Sequence, residues 1–280
     1  MVLSWVSSAG GSPAMVMTEL RGWHVAEGPD EEVARLLTQA AAGGGDLNRA
    51  WVELWEKLLH CGEYVAVGYA VIPRLAELAV RFGPAVDSEP LQLAAAIMGT
   101  DGDDDVEGDA AKARRESAAA LRDLEGQALR SLQLPQLRND RAGFLRLLQA
   151  VLAFRGVPVW SNQLAHLVEG EEELELDCPW CGEYHLAGLS PSEGFTLRGH
   201  VDGEEVVRAI EPAGPASLDD VGEWLHRTAT QHTQPAVAAQ VVHLFGRSRC
   251  IACDEGFRVS DGVLSLRGQF APRRRGPGVI

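Results

Sequence analysis

Four cysteines of this 280-residue chain fall in two pairs of identical spacing, Cys178-Pro-Trp-Cys181 and Cys250-Ile-Ala-Cys253. Two thiolates three positions apart on a tight turn can both face one ion, and Gly182, directly after the first pair, lets the backbone pass close to the sulfurs. Two such turns supply the four soft ligands of a closed tetrahedral Zn2+ site. A closed site leaves no coordination position for water, so the zinc is expected to be structural and to contribute folding energy. Two other readings stay open. In one, His185, four residues past Cys181, replaces a cysteine, although this histidine reads as an exposed strand residue. In the other, the pairs are redox-active or unliganded thiols; against this, both are followed by strand patterns and not by a helix. The fifth cysteine, Cys61, stands alone at a helix end and reads as a small buried apolar residue.

The matched pairs resemble the two knuckles of the zinc-ribbon family. The resemblance implies a small β domain around Cys178, Cys181, Cys250 and Cys253. It departs from the family pattern in one respect: 68 residues separate Cys181 from Cys250, where about 15–20 are usual. Trp180, between the first two cysteines, is expected to shield the metal or to form part of a contact surface.

No other chemistry is spelled out, and no catalytic residue is assigned. Nucleophile-elbow, P-loop and GxGxxG motifs are all missing, and the eight histidines form no HExxH cluster. His226, His232 and His243 read as helical-surface residues. The glycines 43–45 precede Asp46, whose carboxylate would repel a phosphate. The acidic run from Asp101 to Asp109 has Asp at three EF-hand positions, but Val106 where that loop needs glycine and Lys112 where it needs glutamate. It reads as a solvated loop.

The formal charge of −15 is shared by both halves of the chain. Such a surface repels a phosphate backbone, which needs clustered Lys or Arg, so general nucleic-acid binding is disfavoured. A local basic face around Arg247, Arg249 and Arg258 would reopen that reading; the run Arg273-Arg274-Arg275 lies in a Gly- and Pro-containing tail. The longest apolar stretch, residues 64–72, is far short of the ~20 needed to span a bilayer. The N-terminus lacks the positive segment of a secretory signal, and Met15 and Met17 are alternative starts to Met1. Free cysteines in such a chain imply a reducing, cytoplasmic setting.

The elements that would position the cysteines divide near residue 169. Before it the pattern is helical. Val33, Leu36, Leu37 and Ala40 repeat at helical spacing after Asp30, and Trp51, Leu54, Trp55 and Leu58 form a stripe that must be buried. Further helices are expected from about Glu63 to Arg81, from Ser88 through Ile97, from Ala110 to Leu132 and from Leu137 to Phe154. The stretch 46–82, with its Ala-rich second helix carrying Ala70, Ile72, Pro73, Leu75 and Leu78, resembles a unit of the HEAT-repeat family. That resemblance implies stacked helical hairpins with a partner-binding surface. After residue 169, alternation predicts strands over 171–177, 183–189, 195–201 and 205–210. Two helices follow, one opened by Ser217 with Asp220 in a capping-box pattern and one by Pro235. A last hairpin is expected around Asp261-Gly262.

The expected fold is therefore α+β: stacked, α-solenoid-like helical hairpins plus a small zinc-ribbon-like β domain with a helical insertion. Its parts are a flexible N-terminus over 1–18, a HEAT-like domain over 19–168, a zinc domain over 169–269 with the insertion 183–246, and a flexible tail over 270–280. The expected function is a non-enzymatic intracellular scaffold or adaptor that holds one structural zinc and binds another protein, for which the acidic charge suits a basic partner. Alternatives are an immunity- or antitoxin-like inhibitor, an enzyme with an unrecognised site, and a zinc-ribbon nucleic-acid binder.

Overall fold

The computed structural model describes residues 2–6, 14–18, 29–42, 47–59, 65–99, 109–169 and 172–268. The triple glycine with Asp46, Cys61 with Gly62, the acidic run 101–108 and the tail 270–280 lie outside the described residues. The chain mixes helix and antiparallel sheet, an α+β architecture, and divides into two compact units, Met1–His60 and Cys61–Ile280.

In the first unit, β1 (Val2–Val6) pairs antiparallel with β2 (Ala14–Thr18), from Val2↔Thr18 to Val6↔Ala14. The sequence reading placed no strand here, yet two short apolar runs on either side of a Gly/Ser/Pro stretch carry a hairpin signal. Helix α1 (Pro29–Ala42) starts at the proline, so Asp30 lies inside it. It packs along α2 (Leu47–Leu59), burying Val33, Leu36, Leu37 and Ala40 together with Trp51, Leu54 and Leu58. Trp55, on the same stripe, is half-buried. Lys57 of α2 meets Glu32 of α1 at 2.8 Å.

In the second unit, α3 (Val65–Phe82) carries Pro73 within it and turns Ile72, Leu75, Leu78 and Ala79 inward. It packs on α4 (Glu89–Gly99) and α6 (Ala118–Ser131). The expected helix over 110–132 is broken: α5 (Asp109–Glu116) ends before Ser117, whose φ of −97° and ψ of 12° leave the helical region. Just before the break, the Arg114 guanidinium of α5 donates to the carbonyls of Ala153 (3.0 Å) and Met98 (2.9 Å) near the ends of two other helices. A cation is favoured at those negative helix termini. The expected helix from Leu137 starts later as well. Residues Pro135–Asn139 form a 3-10 turn, Asp140 caps the Gly143 amide at 2.8 Å, and α7 (Arg141–Phe154) follows. Ten residues of α7 are buried, since α4, α6 and α8 (Pro158–Glu169) surround it.

The sheet is a four-stranded antiparallel meander of β3 (Glu173–Asp177), β4 (Tyr184–Ser190), β5 (Gly194–Val201) and β6 (Glu204–Ala209), close to the strands read from alternation. It is followed by α9 (Asp220–Gln231), α10 (Pro235–Leu244), a two-stranded ribbon of β7 (Arg247–Arg249) and β8 (Gly256–Arg258), and α11 (Val259–Leu266). Two expectations are corrected. Asp219, not Ser217, caps α9, accepting from the Gly222 amide at 2.8 Å, while Ser217 ends a short 3-10 turn. The hairpin expected around Asp261-Gly262 is helix α11, which buries Val259 and Val263 one turn apart. Gly262 serves close packing and not a turn: a Cβ there would lie 2.8 Å from Leu176 Cδ1 and 3.0 Å from the Asp177 carbonyl.

Helix layer and sheet share one core within this unit. Trp160 of α8 packs against Phe245 with ring centroids 5.0 Å apart and planes tilted by 40°, and the Arg155 guanidinium lies 4.5 Å from the Trp224 ring of α9. Gln240 of α10, almost fully buried, accepts from Arg141 of α7 (3.0 Å) and donates to the Leu189 carbonyl of β4 (2.9 Å).

Candidate metal centre

The two cysteine pairs sit on turns built alike. The first joins β3 to β4; the second joins β7 to β8. In the first, the Cys178 amide donates to the Glu183 carbonyl (2.8 Å) and the Gly182 amide to the Cys178 carbonyl (2.9 Å). In the second, the Cys250 amide donates to the Glu255 carbonyl (2.9 Å) and the Asp254 amide to the Cys250 carbonyl (3.1 Å). Backbone amides also point at sulfur: Trp180 N lies 3.4 Å from Cys178 Sγ, and Cys253 N lies 3.4 Å from Cys250 Sγ. The fifth residue of each turn has positive φ, 75° at Gly182 and 59° at Asp254. Nothing lies within 4 Å of a Cβ built on Gly182, so conformation alone favours glycine there.

All four Sγ atoms lie within 4.8 Å of one another, with Cys178 to Cys253 at 3.8 Å and Cys181 to Cys250 at 3.6 Å. A disulfide needs about 2.05 Å, so these are free thiols. A tetrahedron with metal–sulfur bonds of about 2.3 Å sets its sulfurs about 3.8 Å apart. The arrangement therefore fits a metal ion such as zinc. Cys178 and Cys250 are buried, while Cys181 and Cys253 face solvent. Burial pushes the Cys178 and Cys181 thiols up. At Cys253 burial acts the same way but is outweighed by the Glu255 amide and the neighbouring cysteines, which draw that thiol down. A cation entering the cluster must displace protons, and a soft divalent ion does so by binding thiolate.

His185 departs from its expected place. It is on a strand, β4, but it is 1% exposed, with Nε2 3.3 Å from Cys250 Sγ and its ring stacked 6.3 Å from that of Phe257. Strand alternation explains the burial, since Leu176, opposite it on β3, is also inward. Desolvation draws its pKa down. Trp180 is partly exposed and donates from Nε1 to the Gly256 carbonyl at 3.2 Å, tying the first knuckle to β8.

The other expected residues do not converge. His232 lies on Phe144 and His243 on Phe195, and the cysteines are the only potential metal-ligand cluster among the described residues. Arg247 and Arg258 face each other across the β7–β8 ribbon, and Arg249 follows on the same strand. Of these three arginines, Arg249 is paired with an acid. The Asp254 carboxylate binds Arg249 (2.6 Å) and Arg208 (2.6 Å), and these two guanidiniums hold it well below the usual carboxylate range. Glu211 lines the adjoining cleft of about 350 Å³, and Asp261 lies in the field of Arg258 and Arg247. A second cleft, of about 510 Å³, contains His166, Glu173 and Glu175, but Glu173 is paired with Arg198 and Glu175 accepts from Tyr184 Oη at 2.9 Å.

Sequence reasoning found the four cysteines and missed the Asp254–Arg208–Arg249 group. The one local signal was Arg249, five positions before Asp254; Arg208 lies 46 positions away. Among the described residues, no helix is long and apolar enough to cross a membrane. No family model matches the chain, and no curated protein or solved structure matches it.

Proposed function

We propose that the chain is a non-enzymatic scaffold or adaptor, stabilised by one structural zinc held by Cys178, Cys181, Cys250 and Cys253, and that it binds another protein. The observation that carries the zinc reading is the convergence of four Sγ atoms within 4.8 Å from two turns with the same backbone hydrogen bonds. An ion there would join the β3–β4 turn to the β7–β8 turn across the 68 residues between them. With all four positions taken by sulfur, it would bind no substrate.

The scaffold reading is supported by the helical stacking of α3, α4, α6 and α7 and by the HEAT-like sequence around Pro73. It is supported too by the cleft whose acids Glu173 and Glu175 are already engaged and by the −15 charge, which suits a basic protein surface. Free thiols fit a reducing, cytoplasmic setting. The zinc-ribbon and HEAT likenesses belong to this proposal.

Two measurements test it. Elemental analysis of the purified, reduced protein should give about one zinc per chain; a folded sample without metal overturns the zinc reading. Affinity purification from the native cell with mass spectrometry should return a recurrent stoichiometric protein, confirmed by direct binding with the purified partner. Turnover of a small molecule, lost on mutation of one cleft, would replace the scaffold reading by an enzyme.

A further inference from the structure

We infer that His185 is a positioning residue of the metal centre, donating its Nε2–H to the thiolate of Cys250. This rests on the zinc reading above and adds to it a role for a residue outside the ligand set.

The argument begins with which sulfurs water can reach. Four thiolates around a divalent cation carry net negative charge, and each thiolate is stabilised by hydrogen bonds. Cys181 and Cys253 face solvent and can take them from water. Cys178 and Cys250 are buried and must take them from protein. Cys178 receives the Trp180 amide at 3.4 Å. Cys250, with no exposed surface, receives the Cys253 amide at 3.4 Å and has His185 Nε2 at 3.3 Å, closer than either amide is to its sulfur.

Packing fixes the ring in that position. Phe257 stacks on it, and a Cβ on Gly199 would lie 2.7 Å from Nδ1, so the neighbouring strand leaves room for the imidazole only by having no side chain there. Nδ1 is buried and without a partner. A buried N–H without an acceptor is the rarer defect, so the proton of the neutral ring belongs on Nε2, where a sulfur acceptor is waiting. Hydrogen bonds from residues outside the ligand set orient metal ligands and tune their donor strength. Here the donor would fix Cys250 Sγ and withdraw part of its charge, favouring retention of a soft divalent ion.

The test uses full-length protein loaded with cobalt(II), comparing wild type with His185→Phe, which fills the ring site without a donor, and His185→Gln, which restores an N–H. In His185→Phe the sulfur-to-cobalt charge-transfer bands should move to lower energy, and zinc affinity against a chromogenic chelator should fall about 10–100-fold. His185→Gln should recover part of both. Unchanged bands and affinity in a folded His185→Phe protein overturn the inference and leave the metal reading intact. Failure of wild type to take up cobalt or zinc overturns the metal reading and the donor role together. Nitrogen-15 NMR of wild-type zinc protein needs no variant: Nε2 should carry the proton, slow to exchange. An Nδ1-protonated ring, or X-ray absorption showing three sulfurs and one nitrogen on the metal, overturns the donor role.

Discussion

Gly182 and Asp254 occupy the same place in two turns 72 positions apart, each donating its amide to the carbonyl of the first cysteine from a left-handed backbone conformation. One turn meets that requirement with glycine. The other uses an aspartate whose carboxylate is clamped by Arg208 and Arg249. The first turn should therefore be sensitive to side-chain type in a definite order. Gly182→Asn should be tolerated best, Gly182→Ala should cost about 1–2 kcal/mol, and Gly182→Val should cost most, because a Cβ is strained at positive φ and branching worsens it. Denaturant melts of the zinc-loaded protein read this order.

On the proposed zinc reading, removing one of the four cysteines should act on more than the metal. Cys178→Ser should lose zinc and, with it, the ordered β3–β4 and β7–β8 turns, giving less than one zinc in ten chains by elemental analysis and a reduced β signal in circular dichroism. A chelator strong enough to strip the site should reproduce this in wild type, since the ion's binding energy is folding energy.

Much of this site was legible because two cysteines three apart state their geometry locally. The four strands were legible for the same reason, through alternation over a few residues. What the sequence concealed depends on distant partners. Residues 257–267 carry an Asp-Gly turn signal, yet Gly262 is needed where α11 crosses β3, and that approach is invisible along the chain. Ser117 interrupts a regular helical pattern beside Arg114, which reaches carbonyls 16 and 39 positions away that the local pattern does not reveal. His185 reads as an outward strand residue until the second knuckle, 65 positions on, is placed against it. Nothing along the chain shows that Arg249 of β7 and Arg208 of β6, 41 positions apart, share the Asp254 carboxylate.

The inward face of α3 yields a contrast between neighbours. Leu75 is fully buried and Glu77 is exposed. Leu75→Ala should cost about 2–5 kcal/mol through lost transfer energy and the residual cavity. Glu77→Ala should cost within about 0.5 kcal/mol. Arg74, expected on the surface, is only 22% exposed at its side chain and pairs with Glu77, so its truncation should fall between the two. Chemical denaturation of the three variants decides it.

His232 makes stability depend on pH. Burial against Phe144 draws its pKa below the ordinary histidine value. The unfolded chain then binds the proton more readily than the folded one. Its contribution is full above about pH 6.5 and declines as pH falls from there towards the folded value. His232→Phe should flatten the wild-type slope of unfolding free energy between about pH 6.5 and 5. Parallel slopes for wild type and variant would assign the dependence to other groups.

Gln240 tests whether helices and sheet are one folding unit. Its side chain is held from both sides, by the Arg141 guanidinium of α7 and the Leu189 carbonyl of β4, and Arg141 continues to Glu172 at 3.2 Å just before β3. Replacing it by leucine keeps the volume but leaves the carbonyl without this donor and the guanidinium without this acceptor. The expected cost is about 1–3 kcal/mol, the price of orphaned buried polar groups. The distribution of that cost is the informative part. Because Gln240 touches helix layer and sheet at once, hydrogen exchange should accelerate together in α7, α10 and β4. Acceleration confined to α10 and β4, with α7 protected as in wild type, would mean that the helices hold their own core and that residue 169 marks a true boundary between separately folding parts.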